Sequence, residues 1–134
     1  MKTNSRLFNE KYFKEHTSSI HPQMKKATYR GFLNFLGAKS SKRYWALDIG
    51  CGYGYACKLL RELGYSVYGV DISSHVVSTA KKLQGNKAEF LVCDVQEYIP
   101  FKMNFDLISC FDVLEHLESP QLAIEHIFDA LQEI

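Results

Sequence analysis

The apolar positions of this chain change their spacing along its length. From Leu7 to His16, and again from His21-Pro22 onward, they recur at helical intervals, with proline at the first position of the second segment and Gly37 placed to end it. Met24, Thr28, Gly31, Phe32 and Phe35 fall on one face of that second helix, and Ser40 to Arg43 form a polar linker. Beyond the linker, short apolar runs alternate with amphipathic stretches. The pattern predicts a strand at 44–49, a helix at about 54–63 with Ala56, Leu59, Leu60 and Leu63 inward, a strand at 65–70, a helix at about 74–84, and strands at 88–93 and 105–111. A last helix begins at Ser119-Pro120, a cap followed by proline, and runs to the end with Ala123, Ile127, Ala130, Leu131 and Ile134 on one stripe. Strands alternating with helices through short connections predict an α/β fold, a parallel sheet with helices on both faces.

The junction after the first strand carries the candidate chemistry. Gly50, Gly52 and Gly54 stand at alternate positions behind Asp48. A chain that reverses from strand to helix with its backbone against a bound molecule needs positions free of side chains. Asp71, closing the next strand, is expected beside the same crevice, where its carboxylate can accept hydrogen bonds from two ribose hydroxyls. A dinucleotide fingerprint, G-x-G-x-x-G, would put its last glycine at 55, where this chain has Tyr55, so the spacing is G-x-G-x-G instead. Asp48 also suits a ligand ammonium better than a phosphate, which its charge would repel.

Together ALDIGCGYGY, Ala46 to Tyr55, and YGVDIS, Tyr68 to Ser73, resemble the first motif and the ribose-binding strand end of class I S-adenosylmethionine-dependent methyltransferases. FDLISCF, Phe105 to Phe111, followed by DVLEHL is similar to that family's fourth strand and the segment after it, so the resemblance covers residues 44 to about 131. It implies a doubly wound, Rossmann-like sheet in the order 3-2-1-4, truncated after about four strands of the family's seven, with N-terminal helices ahead of it. It also implies S-adenosylmethionine as cofactor. Asp48, Gly50, Gly52 and Gly54 would shape the methionine side, Asp71 and Ile72 the ribose site, and the backbone around Phe111 would face the methionine portion. Asp94 would contact the adenine amino group and the Val95 amide a ring nitrogen, a carboxylate beside an N–H that complements an adenine edge. Residues 44–134 are then an incomplete cofactor-binding core and residues 1–43 a helical lid or arm. Tyr12, Phe13 and His16 in that arm would shield a sulfonium, although packing alone explains them equally well.

The implied reaction is methyl transfer to an O, N or C nucleophile. The alternative is a fragment that binds the cofactor or a partner chain without turnover. Asp112, Glu115 and His116 stand at i, i+3 and i+4, one face if the segment is helical. Some quinone-biosynthesis O-methyltransferases and small-RNA 2′-O-methyltransferases carry a similar E-x-x-E-H run that holds a divalent metal. The three are therefore candidate metal ligands and His116 a candidate general base, while the favoured reading is structural, with no metal.

Charge divides the chain. Residues 1–43 hold ten Lys or Arg against Glu10 and Glu15, a balance of +8, and residues 44–134 a balance of −7. An acidic body suits a sulfonium cofactor, and with no aromatic-basic platform in view a small-molecule acceptor is expected rather than nucleic acid. At 134 residues and 46% apolar the chain makes one core. No run is long enough to cross a bilayer and no signal peptide opens the chain, so a cytoplasmic setting is expected. Cys51, Cys57, Cys93 and Cys110 lack C-x-x-C spacing and read as reduced core thiols. The fourth strand, left as an apolar edge, is expected to recruit a further strand through residues 105–111, by self-association or from another polypeptide.

Overall fold

The structure, a computed structural model, describes residues 8–17, 22–35 and 44–131. Helices α1 (Glu10–Thr17) and α2 (Pro22–Phe35) precede the alternating unit β1 (Trp45–Ile49), α3 (Tyr55–Glu62), β2 (Ser66–Asp71), α4 (Ser74–Gln84), β3 (Glu89–Val92), β4 (Leu107–Cys110) and α5 (Pro120–Ala130). The strands are parallel in the order β3-β2-β1-β4, the order the resemblance implies. The chain thus winds outward in one direction from β1 to β3 and then returns to the other side of β1, leaving a crevice at the carboxyl ends of β1 and β4.

Parallel strands covered on both faces read as continuous apolar runs, and Ala46, Leu47 and Ile49 are accordingly buried in β1. One face of the sheet packs on α2, α3 and α4 through Leu33, Leu60, Val77, Ala80 and Phe90. The other packs on α5 through Leu47, Val70, Phe105 and Ala123. The rings of Tyr68, Phe101 and Phe105 meet edge to face beneath that second layer, with centroids 5.0 to 5.6 Å apart.

Two expectations are corrected. The buried face of α2 is not the one that its large side chains suggest: Leu33 is buried and Tyr29 half-buried, whereas Phe35 is 87% exposed. α2 docks on α3 by this other face: Leu33 joins the buried cluster with Leu59 and Leu60, and at its exposed rim the Arg30 guanidinium meets the Glu62 carboxylate at 2.9 Å. The last helix does not continue through Leu131. It ends at Ala130, whose carbonyl accepts a hydrogen bond from Phe105 N–H at 2.8 Å, and Leu131 lies in extended conformation, bridging Phe105 in parallel. The segment expected as a strand at 105–111 therefore narrows to Leu107–Cys110, and its leading end already has a partner within the chain. Leu7, His21, Gly37, the linker Ser40 to Arg43 and Ile134 lie outside the described residues, as do the side chains of His16 and Met24.

Candidate functional site

A cavity of about 370 Å³ opens at the carboxyl ends of the strands. Asp48, Gly50, Gly52, Asp71, Ile72, Asp94, Val95, Phe111, Asp112 and His116 all line it, so most of the residues singled out by sequence converge. Gly54 and Glu115 do not line it.

The three glycines of the turn separate into two roles. All have positive φ, of 68°, 52° and 83° for Gly50, Gly52 and Gly54. A Cβ at Gly50 would collide with the Val113 side chain, and one at Gly54 would press on Phe90 and Gln84 at 3.3 and 3.4 Å. At Gly52 it would meet nothing within 4 Å, and Gly52 lines the cavity. Gly50, on the cavity wall, and Gly54 thus make room for neighbouring side chains, and Gly52 leaves open space on the wall.

The acids are fixed before any ligand arrives. Asp71 accepts hydrogen bonds from Gly52 N–H at 3.0 Å on one carboxylate oxygen and from Ser73 N–H at 2.9 Å on the other, which clamps the glycine turn to the end of β2. Burial raises its pKa, and the backbone hydrogen bonds from Ser73, Gly52 and Ile72 oppose the rise. A carboxylate has about four acceptor directions, so these three N–H groups leave it capacity for a further donor. Asp48, 3% exposed, accepts from the Ser109 hydroxyl at 2.7 Å and lies 3.7 Å from the Cys57 thiol. Its pKa is pushed up to about 7, chiefly by burial, against the opposing hydrogen bonds from Ser109 and Cys57. Asp94 accepts on one oxygen from both the backbone N–H and the side-chain amide of Gln96, at 3.0 and 3.2 Å. Beside it the Val95 carbonyl accepts from His126 Nδ1 at 2.7 Å.

The opposite wall is aromatic. Tyr29 of α2 stacks on Phe111 with centroids 4.6 Å apart, and burial, with Asp48 and Asp112 nearby, pushes its hydroxyl pKa up to about 12. From α1 and the residues just ahead of it, Phe8 meets His116 edge-on at 5.6 Å and Phe13 meets Tyr53 at 5.7 Å. Tyr12 and Phe13, expected in a lid, both line the cavity. Phe8, Tyr29, Tyr53, Ser109 and Gln96 escaped the sequence reading. Only Ser109, a hydroxyl inside an apolar strand, and Gln96, two residues past Asp94, offered any signal.

Asp112, Glu115 and His116, the candidate metal ligands, do not share a helical face: Asp112 has φ of 56° and residues Leu114–His116 form one tight 3-10 turn. Among the described residues no group of three His, Cys, Asp or Glu side chains converges as metal ligands. The four cysteines are free thiols, with Cys51, Cys57 and Cys93 buried. No described helix is long and apolar enough to cross a membrane.

Among the described residues the cavity wall carries four carboxylates, those of Asp48, Asp71, Asp94 and Asp112, and no Lys or Arg. Such a site fits a ligand with vicinal hydroxyls, a base edge and a positive charge, with open backbone at Gly52 for close approach.

A family model described as a methyltransferase domain matches residues 47–133. A ubiquinone biosynthesis O-methyltransferase from Coxiella burnetii is 32% identical over 83 residues, covering 60% of this chain and 36% of that protein. An 18S rRNA (guanine-N(7))-methyltransferase from Schizosaccharomyces pombe is 30% identical over 93 residues, covering 63% of this chain and 35% of that protein. The crystal structure of a magnesium protoporphyrin IX methyltransferase from Synechocystis, with bound S-adenosylmethionine, superposes with a TM-score of 0.67 at 27% identity, over 81% of this chain and 55% of that one. The chain thus spans about a third of the length of the curated relatives it matches. With the sheet order, the glycine turn and this match over residues 47–133 in agreement, the chain belongs to the class I S-adenosylmethionine-dependent methyltransferases.

Proposed function

We propose that this chain forms the cofactor-binding part of an enzyme that moves a methyl group from S-adenosylmethionine to an O, N or C nucleophile of a small acceptor. The observation that carries the reading is the meeting of Asp48, Asp71 and Asp94 on one cavity with Gly52 open beside them and no cationic side chain among its described lining. In this reading Asp71, next to Ile72, holds the ribose hydroxyls, Asp94 and the Val95 amide hold adenine, and Asp48 favours the positive end. The Phe111 backbone borders the methionine portion. The bound cofactor supplies an electrophilic methyl group on a sulfonium. The protein contributes position and dryness: Phe8, Tyr12, Phe13 and Tyr29 exclude water, and the rigid strand ends hold the reactants aligned. In this reading His116, which lines the same cavity, takes a proton from the acceptor.

The acceptor in this reading is neutral or cationic, since four carboxylates repel an anion at close range. The O-methyltransferase relative agrees with a small molecule; the rRNA relative makes nucleic acid the competing outcome. A second reading, cofactor or partner binding without turnover, is favoured by one observation: Asp48, Asp71 and Asp94 are all taken up by the cofactor in the first reading, which leaves only Asp112 and His116 for the acceptor.

The test is calorimetric titration with S-adenosylhomocysteine, alongside Asp71→Ala, followed by incubation with labelled cofactor and either small phenols and amines or rRNA. We expect micromolar binding, weakened a hundredfold or more (about 3 kcal/mol) by the substitution. No binding by the unsubstituted chain would sink the cofactor-site reading. Binding with no transfer to any acceptor would leave the second reading standing.

A further inference from the structure

Gln96 is buried, with 9% of its surface exposed, and its two amide ends face different parts of the site. Its Oε1 accepts from the backbone N–H of Ser119 at 2.7 Å, and its Nε2 donates to Asp94 Oδ1 at 3.2 Å. The orientation is dictated by chemistry. A backbone N–H can only donate, so the oxygen must face Ser119 and the NH2 must face the carboxylate. Ser119 begins α5 with no side-chain cap of its own, so the sequence expectation of a serine cap is corrected: the helix entrance is satisfied at this N–H by Gln96, from another part of the chain.

Gln96 thereby ties the adenine-side carboxylate to the end of the segment 112–119, whose other end carries Asp112 and His116 on the cavity wall. With Oδ1 engaged twice by Gln96, Asp94 has its second oxygen left to present to the cavity. We propose that Gln96 is a positioning residue for base recognition, holding Asp94 in the orientation that selects an adenine amino group and coupling that orientation to the loop on the acceptor side. The inference rests on the reading in which Asp94 reads adenine. His126, bonded to the Val95 carbonyl from the middle of α5, fastens the same helix to the same strand end at a second point.

The test measures discrimination as well as affinity. S-adenosylhomocysteine and its inosine counterpart, in which a carbonyl oxygen replaces the adenine amino group, are titrated into the unsubstituted chain and into Asp94→Ala, Gln96→Glu and Gln96→Leu. Gln96→Glu keeps an oxygen for Ser119 N–H but turns a second oxygen against Asp94, so it removes the side-chain half of the clamp, leaves the backbone N–H in place and spares the helix cap. The expected result is an adenine preference of tenfold or more that Asp94→Ala abolishes and Gln96→Glu reduces about as far, with melting temperature and secondary structure retained. Gln96→Leu, which loses the side-chain bonds to Asp94 and to Ser119 N–H, should lose the same preference and melt lower. If Asp94→Ala abolishes the preference and Gln96→Glu leaves it intact, the positioning role is overturned while the adenine reading stands. A preference untouched by Asp94→Ala, or absent from the unsubstituted chain, overturns the adenine reading and the role of Gln96 with it.

Discussion

The two ends of the cavity are held by different forces. At the end assigned to ribose and adenine, each acid is fastened by hydrogen bonds from backbone or amide N–H groups: Asp71 by Gly52 and Ser73, Asp94 by Gln96. At the end assigned to methyl transfer the wall is made of rings from distant parts of the chain, Tyr29 on Phe111, Phe8 on His116 and Phe13 on Tyr53. Hydrogen bonds to charged groups fix angles as well as distances. Ring contacts, worth about 0.5 to 1.5 kcal/mol each, tolerate sliding. The contrast teaches that the fold can hold one ligand half rigidly while leaving the other end adaptable to an acceptor.

The sharpest way to break this contrast lies in the glycine turn. Gly50→Ala places a Cβ against Val113 in a left-handed backbone, and should unfold the chain or lower its melting temperature by about 10 °C or more. Gly52→Ala carries left-handed strain of about 1 kcal/mol but meets no neighbour, so it should melt only a few degrees lower while weakening S-adenosylhomocysteine binding by about tenfold or more. Melting by circular dichroism and calorimetry on both variants separate the two roles; a Gly52→Ala chain that binds normally would remove the glycine turn from the ligand site.

Asp48 sharpens the comparison through pH. Its pKa rises from an ordinary 3.8 to about 7 on folding, so between those values the folded chain holds a proton that the unfolded chain has released. Stability therefore falls as pH climbs from about 4 to 7, and the loss is complete above 7. Asp48→Asn should remove that penalty and melt a few degrees higher at pH 8, with no comparable gain at pH 4. The same substitution should weaken binding of cationic S-adenosylmethionine, more at pH 8 than at pH 5.5, because a cation draws the ionised form of the acid. Equal melting curves at pH 8 would mean that Asp48 ionises freely. The smallest effect is expected at the aromatic wall. Phe13→Ala should weaken cofactor binding three- to tenfold with melting nearly unchanged; a fall of many degrees would make the arm a structural part of the core.

The strands and the three acids are legible in local patterns, an apolar run, an acid at its end, a glycine turn, whereas the strand order is legible only through the family resemblance. What escaped depends on pairing across the sheet. Ser109 meets Asp48 only because β1 and β4 align Asp48 with Ser109, sixty-one positions away. Tyr29 joins the cavity because α2 docks on α3 by Leu33 and Arg30, and the size of Phe35 misled the choice of face. Leu131 left its helix because the backbone at Phe105 offered a partner, which helical periodicity cannot register. The spacing of Asp112, Glu115 and His116 suggested one helical face, and a single positive φ at Asp112 was enough to disperse it.

The alignment of Asp48 with Ser109 has a consequence for assembly of the sheet. Parallel strands such as β1 and β4 pair across a long stretch of chain, and a slip by one position would move every side chain of a strand to the other face. Here a slip would set Ile108 or Cys110 opposite Asp48 and turn the serine hydroxyl to the other face, leaving a buried carboxyl group with its oxygen donor gone. The acid at the heart of the pocket thus also favours the observed register of β1 on β4 over its neighbours.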